Sequence, residues 1–332
     1  MEPARARPAE ASSGPSASGT GTTRRRAVID IGTNSVKLLI ADVAGREVQP
    51  VHEESRQTRL GKNFYETHRL QPEAIARTAE AVWEYAEVAR ERDAASIRVI
   101  ATSAARDAVN KDDLIKTIER ASGLKIEIIS GEQEAEWAFQ GVATGSDLAK
   151  TPLLLLDVGG GSTEFIVGHT GRKHFAESFQ IGTVRLMEKI PHSDPPTPEE
   201  FAKCRDWLKA ALQKDVCPKL GPVLQRETKA GAIQLAGTGG TATILAKLEL
   251  QLERYDRDKI EATRLRLTQI QAHRKQLWKL PLARRKEVPG MPKSRADVAL
   301  TGILIFETVM EEFGFSELRV STRGLRFAAV MD

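Results

Sequence analysis

Two short segments of this chain share one pattern. Asp30-Ile-Gly-Thr-Asn-Ser35 and Asp157-Val-Gly-Gly-Gly-Ser162 both read D-x-G-x-x-S. Each follows an apolar run, residues 27–29 and 153–156, and each precedes another, residues 36–41 and 163–167. Apolar runs broken by a glycine turn read as strand, loop, strand. Two copies of one supersecondary unit, far apart in 332 residues, imply two similar halves facing each other. Strand and helix patterns alternate around them, which places the chain in the α/β class.

The remaining elements follow from periodicity and punctuation. Residues 48–58, 97–102, 125–129, 232–236 and 318–321 read as strands. Pro72 suits the first position of a helix to residue 92, with Ile75, Ala79, Val82 and Ala86 on one face. Residues 112–122 form a helix that stops at Gly123. Ser130 and Gln133 have the spacing of a capping box for a helix to about residue 145. Residues 199–212, 242–250, 265–280, 297–313 and 324–330 are further helices. The expected division is an arm without fixed structure (1–24), a first domain (25–145) and a second (146–332), the last helix packing back on the first.

A loop of small residues lets backbone N–H groups converge on one anion. Gly32, Gly159, Gly160 and Gly161 give that access, and Thr33, Asn34, Ser35, Ser162 and Thr163 add side-chain donors. Such loops cradle phosphate. Asp30 and Asp157 would repel it directly, but each can hold a Mg2+ ion (or Mn2+) that bridges carboxylate to phosphate. Glu164 is a third candidate at the ion. Gly237, Thr238, Gly239, Gly240 and Thr241 form another glycine loop at a helix start, where the macrodipole also favours an anion. Hydrolysis needs a base for water. Glu132, Glu134 and Glu136 crowd one helix start, where carboxylates also simply complement the dipole. The residues alone leave the base open.

Composition narrows the function class. The chain is 41% hydrophobic and 28% charged, with a net charge of +4. Part of that excess sits in Arg5, Arg7, Arg24, Arg25 and Arg26, so the folded part is near neutral and no nucleic-acid partner is expected. Two cysteines, Cys204 and Cys217, and six histidines show no metal spacing. No apolar run is long enough to cross a membrane, and the first residues lack a signal-peptide core. A reducing, cytoplasmic location is expected. Residues 254–295 carry thirteen Lys and Arg against four Asp and Glu. They form either a channel lining for a polyanion or a solvated face.

Taken together, these motifs resemble the exopolyphosphatase and guanosine pentaphosphate phosphatase family. The resemblance runs through Thr102-Ser-Ala-Ala-Arg106, Ile129-Ser-Gly-Glu-Gln-Glu-Ala135, both repeat loops, Gly182-Thr-Val-Arg185, Gly237-Thr-Gly-Gly-Thr241, Arg295-Ala-Asp297 and Arg323-Gly-Leu-Arg326. It implies two actin-like (ribonuclease H-like) domains of the sugar kinase, actin and heat-shock chaperone superfamily, with the active site in the cleft between them. It further implies Glu134 as catalytic base, Arg106 and Arg295 on substrate phosphates, and Asp30, Asp157 and Glu164 at the metal. The implied substrate is inorganic polyphosphate, in short chains because the sequence has the length of the short family form, with guanosine penta- and tetraphosphate as further candidates. A homodimer is implied as well. Two other readings stay open: an alarmone-binding sensor with little catalysis, and a kinase or ATPase of the same fold.

Overall fold

The computed structural model of the chain describes residues 22–145, 147–229 and 231–332. Most of the expected arm, residues 1–21, lies outside the described residues, but its last three residues do not. Strand β1 starts at Arg24, three residues before the apolar run. Arg25 pairs with Asp42 at 2.8 Å, and Arg26 donates to Val330 O and Met331 O, so neither belongs to a solvated tail.

Two mixed sheets organise the chain. Strands β1 (Arg24–Ile31), β2 (Ser35–Ala44), β3 (Glu47–Gln57), β4 (Ile97–Ala101) and β5 (Ile126–Ile128) form the first, in the order β3-β2-β1-β4-β5. The second contains β6 (Leu153–Val158), β7 (Thr163–His169), β8 (Arg172–Phe179), β9 (Gln234–Thr238), β10 (Arg264–Arg266) and β11 (Glu317–Val320), in the order β10-β11-β9-β6-β7-β8. Read from the other edge and without β10, the second order matches the first strand for strand. The directions match too. β1–β2 and β2–β3 are antiparallel, as are β6–β7 and β7–β8; β1–β4 and β4–β5 are parallel, as are β6–β9 and β9–β11. The repeat visible in two loops is therefore a repeat of a whole sheet.

Helices α1 (Pro72–Glu91), α2 (Ser103–Asp107) and α3 (Lys111–Ser122) cover one face of the first sheet. Strand alternation decides which residues meet them: Ala27, Ile29 and Ile31 join that core, while Val28 faces the other way. The other face is closed by Trp137 of α4 (Gly131–Ala143) and by a helix from the far end of the chain. The second sheet is flanked by α5 (Thr183–Lys189), α6 (Pro198–Ala211), α7 (Cys217–Thr228), α8 (Gly239–Leu250), α9 (Arg257–Glu261), α10 (Leu267–Trp278), α11 (Leu282–Arg285) and α12 (Ala299–Phe313). Helix α13 (Leu325–Ala329) is the one that returns to the first sheet.

Helix α4 belongs to both halves. Ala135, Ala138, Phe139 and Val142 recur at helical spacing and pack on Leu153, Leu155 and Ile166 of the second sheet. Trp137, on another face of α4, packs with the first. Ser130 caps this helix by accepting from Gln133 N at 3.1 Å. Only that half of the expected capping box forms. The position of α4 matters because its first turn carries Glu134, at the junction of the two sheets.

Two expectations change. Leu265 lies in β10, where Arg264 and Arg266 point outward and Leu265 inward; the helix begins at Leu267. Three alternating residues are too few to register as a strand. The basic stretch 254–295 divides: nine of its thirteen Lys and Arg are exposed on a solvated face, and others are held in ion pairs or at the cavity. Arg257 pairs with Glu53, Arg274 with Glu307, Arg285 with Asp194 and Arg264 with Glu317, at 2.6, 2.9, 2.8 and 3.3 Å. Helix α12 is buried at each position from Ala299 to Met310, which is why its sequence is apolar all round. Burying each of its large apolar side chains stabilises the fold by about 1.5–3 kcal/mol. That surface is inside the chain and presents no dimer face.

Candidate active site

The two D-x-G-x-x-S loops have the same local geometry. Gly32 N donates to Ser35 O and Gly159 N donates to Ser162 O, both at 3.0 Å. Each turn lifts its remaining residues off the strand ends, and the turns face each other. A Cβ on Gly161 would lie 2.3 Å from Ser103 Oγ and 3.0 Å from Thr33 Oγ1, so only glycine permits this approach. A cavity of about 70 Å3 remains between them. It has room for about five water-sized groups, the scale of one phosphate. Asp30, Gly32, Thr33, Asn34, Ser35, Glu134, Asp157, Gly159, Gly160, Gly161, Ser162, Glu164, Gly240, Thr241 and Arg295 all line it.

Five candidates do not line the cavity: Thr163, Gly237, Thr238, Gly239 and Arg106. Thr163 is fully buried and donates its hydroxyl to Ile181 O. Gly237 packs against Phe306, and Thr238 Oγ1 donates to Arg323 O at 2.5 Å. These three hold the loops from behind. Gly239 stands between these groups. Its φ of +82° suits glycine, and a Cβ there would come within 2.3 Å of Asp157 Oδ1.

Four carboxyl groups share this small space, and burial raises the pKa of each. For Asp30 and Asp157 desolvation outweighs the attraction of Lys37. Glu164 is pushed well above the usual carboxylate range by desolvation, then by Glu134 and Asp157. Glu134 rises to about 7, mainly by desolvation, against the opposing pull of Arg106. Register explains the layout: Asp30 lies opposite Lys37 across β1–β2, and Asp157 opposite Glu164 across β6–β7. The two halves thus place a cation and an anion at equivalent positions. Burial lowers the Lys37 pKa, and Asp30 partly restores it.

The arginines take different places around the cavity. Arg106 is absent from the cavity wall. Its Nη1 donates to Glu134 Oε2 at 3.1 Å and to Ile129 O at 3.0 Å, which ties Glu134 to the first half. Arg295 reaches across from the second half and donates to Ser35 Oγ at 2.8 Å. Arg185 joins the halves as well, through Gly161 O at 2.7 Å and Asp107 at 3.1 Å. Lys37, Ser103, Arg185 and Glu188 were not singled out from the sequence. The seven-residue offset from each repeat aspartate, which reaches Lys37 and Glu164, is the signal that could have found the first.

The donor set suits a hard cation. Asp30 Oδ1 and Ser103 Oγ, two oxygens, are buried with no hydrogen-bond partner in the chain, and Asn34 Nδ2 is an orphaned N–H donor suited to an anion. Orphaned groups in a polar cavity mark a place for a ligand. The expected trio of Asp30, Asp157 and Glu164 is looser than a three-ligand cage, however. Among the described residues, the group of three metal-ligating side chains with all donor atoms within 4.8 Å lies elsewhere. An ion here would be held partly through its own waters, as Mg2+ prefers.

Larger spaces open on both sides of the cavity. One of about 640 Å3 shares Thr33 and Asn34 with it and is lined by Arg59, Lys62, Arg185 and Lys189. Another of about 370 Å3 shares Lys37 and Arg295 and is lined by Tyr255 and Arg326.

The chain is similar to known proteins. The chain is 36% identical over 310 residues to exopolyphosphatase 2 of Mycobacterium tuberculosis, covering 90% of this chain and 94% of that one. It is 28% identical over 307 residues to a guanosine-5'-triphosphate,3'-diphosphate pyrophosphatase of Photobacterium profundum, covering 92% of this chain and 58% of the relative. The solved structure of the Aquifex aeolicus PPX-GPPA enzyme superposes with a TM-score of 0.73 at 32% identity, over 93% of this chain and 99% of that one. The profile of the Ppx/GppA phosphatase family matches residues 39–331, from within β2 to the penultimate residue, and this chain is a member of that family.

Proposed function

We propose that the chain is an exopolyphosphatase that removes the terminal phosphate from inorganic polyphosphate, short chains preferred, and that guanosine pentaphosphate is a second substrate. The observation that carries this reading is the pair of matched loops enclosing one phosphate-sized cavity with Glu134 on its wall. The exopolyphosphatase and pyrophosphatase names of its relatives support it. Its ordinary milieu is taken to be the cytoplasm, and a homodimer is part of the proposal.

The terminal phosphate sits between residues 32–35 and 159–162, whose N–H groups and hydroxyls donate to its oxygens. Arg295 and Lys37 offset its charge. Asp157, Asp30 and Glu164 would hold Mg2+ directly or through water, and the ion would supply charge neutralisation at the phosphate oxygens. Glu134 takes the proton from a water. That water's oxygen forms the new bond to phosphorus while the anhydride oxygen leaves with the shortened chain. A pKa of about 7 leaves Glu134 deprotonated in part of the protein at neutral pH, the condition a base needs. Arg106 keeps it in place.

The test is phosphate release from short polyphosphate, long polyphosphate and guanosine pentaphosphate side by side, with Mg2+ and with EDTA. Release from polyphosphate that needs the metal is expected. No release from any of the three would leave the sensor reading standing, and transfer only from ATP would favour the kinase.

A further inference from the structure

Two of the six histidines meet at the far end of the hairpin whose base carries Glu164. His169 ends β7 and His174 lies in β8, on the two arms of a tight hairpin. Their rings pack edge to face with centroids 4.5 Å apart. Facing both is Glu227, from the last turn of α7, buried to 6% exposure. Glu227 Oε2 lies 3.5 Å from His169 Nδ1 and 2.8 Å from His174 Nδ1. Its other oxygen takes Arg226 Nε at 3.4 Å. His169 Nδ1 is buried and has no hydrogen-bond partner.

We infer that His169, His174 and Glu227 form a binding site for a borderline divalent transition metal, of which Zn2+ is the representative. The three donor atoms lie within 4.8 Å of one another, and among the described residues no other group of three does so. Two imidazole nitrogens and one carboxylate oxygen are a donor set that Zn2+ takes and Mg2+ does not. Tetrahedral bonds to nitrogen and oxygen separate neighbouring donors by about 3.4 Å. The His169 pair already has that spacing, and the His174 pair needs to open by about half an ångström. The fourth position is left to water.

The site would staple the β7–β8 hairpin to the end of α7. That hairpin also carries Glu164 on β7 and Ser178 on β8, which donates to Glu164 Oε1 at 2.7 Å. A metal at its tip fixes the arm whose base enters the cavity. The role is structural and separate from the Mg2+ carboxylates, so it does not depend on the proposed reaction.

The experiment titrates the full chain with Zn2+ in saturating Mg2+, which keeps the cavity carboxylates occupied. Binding is read by competition with a chromogenic chelator, and stability by thermal unfolding. Wild type is expected to bind one Zn2+ and to unfold at a higher temperature when it does. Loss of a residue that merely orients a ligand costs about 10–100-fold in metal affinity, so H169Q, H174Q and E227Q are each expected to lose more than about 100-fold. Their unfolding temperatures should no longer respond to Zn2+, while circular dichroism in EDTA and Mg2+-dependent hydrolysis stay as in wild type. E227Q keeps the side-chain shape and serves where a histidine variant folds poorly. Equal Zn2+ affinity in wild type and E227Q, or no Zn2+ bound by wild type, overturns the assignment.

Discussion

Glu134 sits under two opposed influences: burial holds its proton on, and the Arg106 guanidinium pulls it off. Replacing it by glutamine keeps the shape and removes the base. Glu134→Gln is expected to lower kcat by about 10²–10⁴, the usual worth of a positioned base, with polyphosphate binding retained. Steady-state rates beside equilibrium binding check this, and unchanged hydrolysis would sink the role. Because the base must be deprotonated, kcat/KM without added charge compensation should rise with pH through about 7. Arg106→Gln removes the group that lowers this pKa. The acid limb of the profile should then move to higher pH, with more effect on kcat than on KM. An arginine that instead held a substrate phosphate would mainly raise KM. The pair between positions 106 and 134 was not legible in the sequence, because it leaves no periodic trace.

At the scale of elements, much was legible because the chain repeats itself. Two loops with one pattern announced two strand–loop–strand units, and the strand orders carry the same repeat through both sheets. The third glycine loop was legible as a motif but not in its division of labour. Gly237 and Thr238 end β9 and face inward, while Gly240 and Thr241 open α8 and face the cavity. Which side of a short loop points inward depends on the packing of Phe306 and Arg323, distant in sequence. The close approach of α4 and α13 is of the same kind: a Cβ on Gly141 would lie 2.0 Å from Gly324 O. Gly239 gives the sharpest test. Gly239→Ala combines a left-handed backbone with a clash on Asp157 Oδ1. The expected result is a loss of about 1–3 kcal/mol in stability and a larger proportional loss of activity at limiting Mg2+, partly recovered as Mg2+ is raised. Denaturant unfolding and a Mg2+ titration of the rate read the two effects separately; activity equal to wild type at low Mg2+ would show that Asp157 tolerates the shift.

The whole molecule is held closed by polar contacts that cross between its halves. Glu188, on α5, accepts from the N–H groups of Asn63, Phe64 and Tyr65 at 2.5, 3.1 and 3.2 Å, and Arg59 pairs with Asp297. Glu188→Ala should speed amide exchange at residues 63–65 without unfolding either sheet; unchanged exchange would mean that the loop holds itself. The closed cavity has a cost of its own. Asp30, Glu134, Asp157 and Glu164 all have pKa values raised by burial. Between the ordinary carboxylate range and the raised values, the native state binds more protons than the unfolded state. Stability contributed by these groups is therefore complete below the unfolded values and falls as pH rises, through about 7 for Glu134. The surface carboxylates beside Arg25, Arg56 and Arg285 have lowered values and act in the opposite sense, but only at pH below that window. Without divalent metal, the unfolding temperature should fall from pH 5 to pH 8 by several degrees. Mg2+ favours the deprotonated carboxylates, so it should stabilise more at pH 8 than at pH 5 and flatten the slope. The variant D30N should have a shallower slope than wild type in EDTA and a smaller response to Mg2+. Thermal unfolding at four pH values, with EDTA and with Mg2+, decides the matter: an unfolding temperature that rises over this range in EDTA for wild type but not for D30N would mean that these carboxylates are ionised in the empty cavity, held by Lys37 and Arg295 more strongly than burial opposes them.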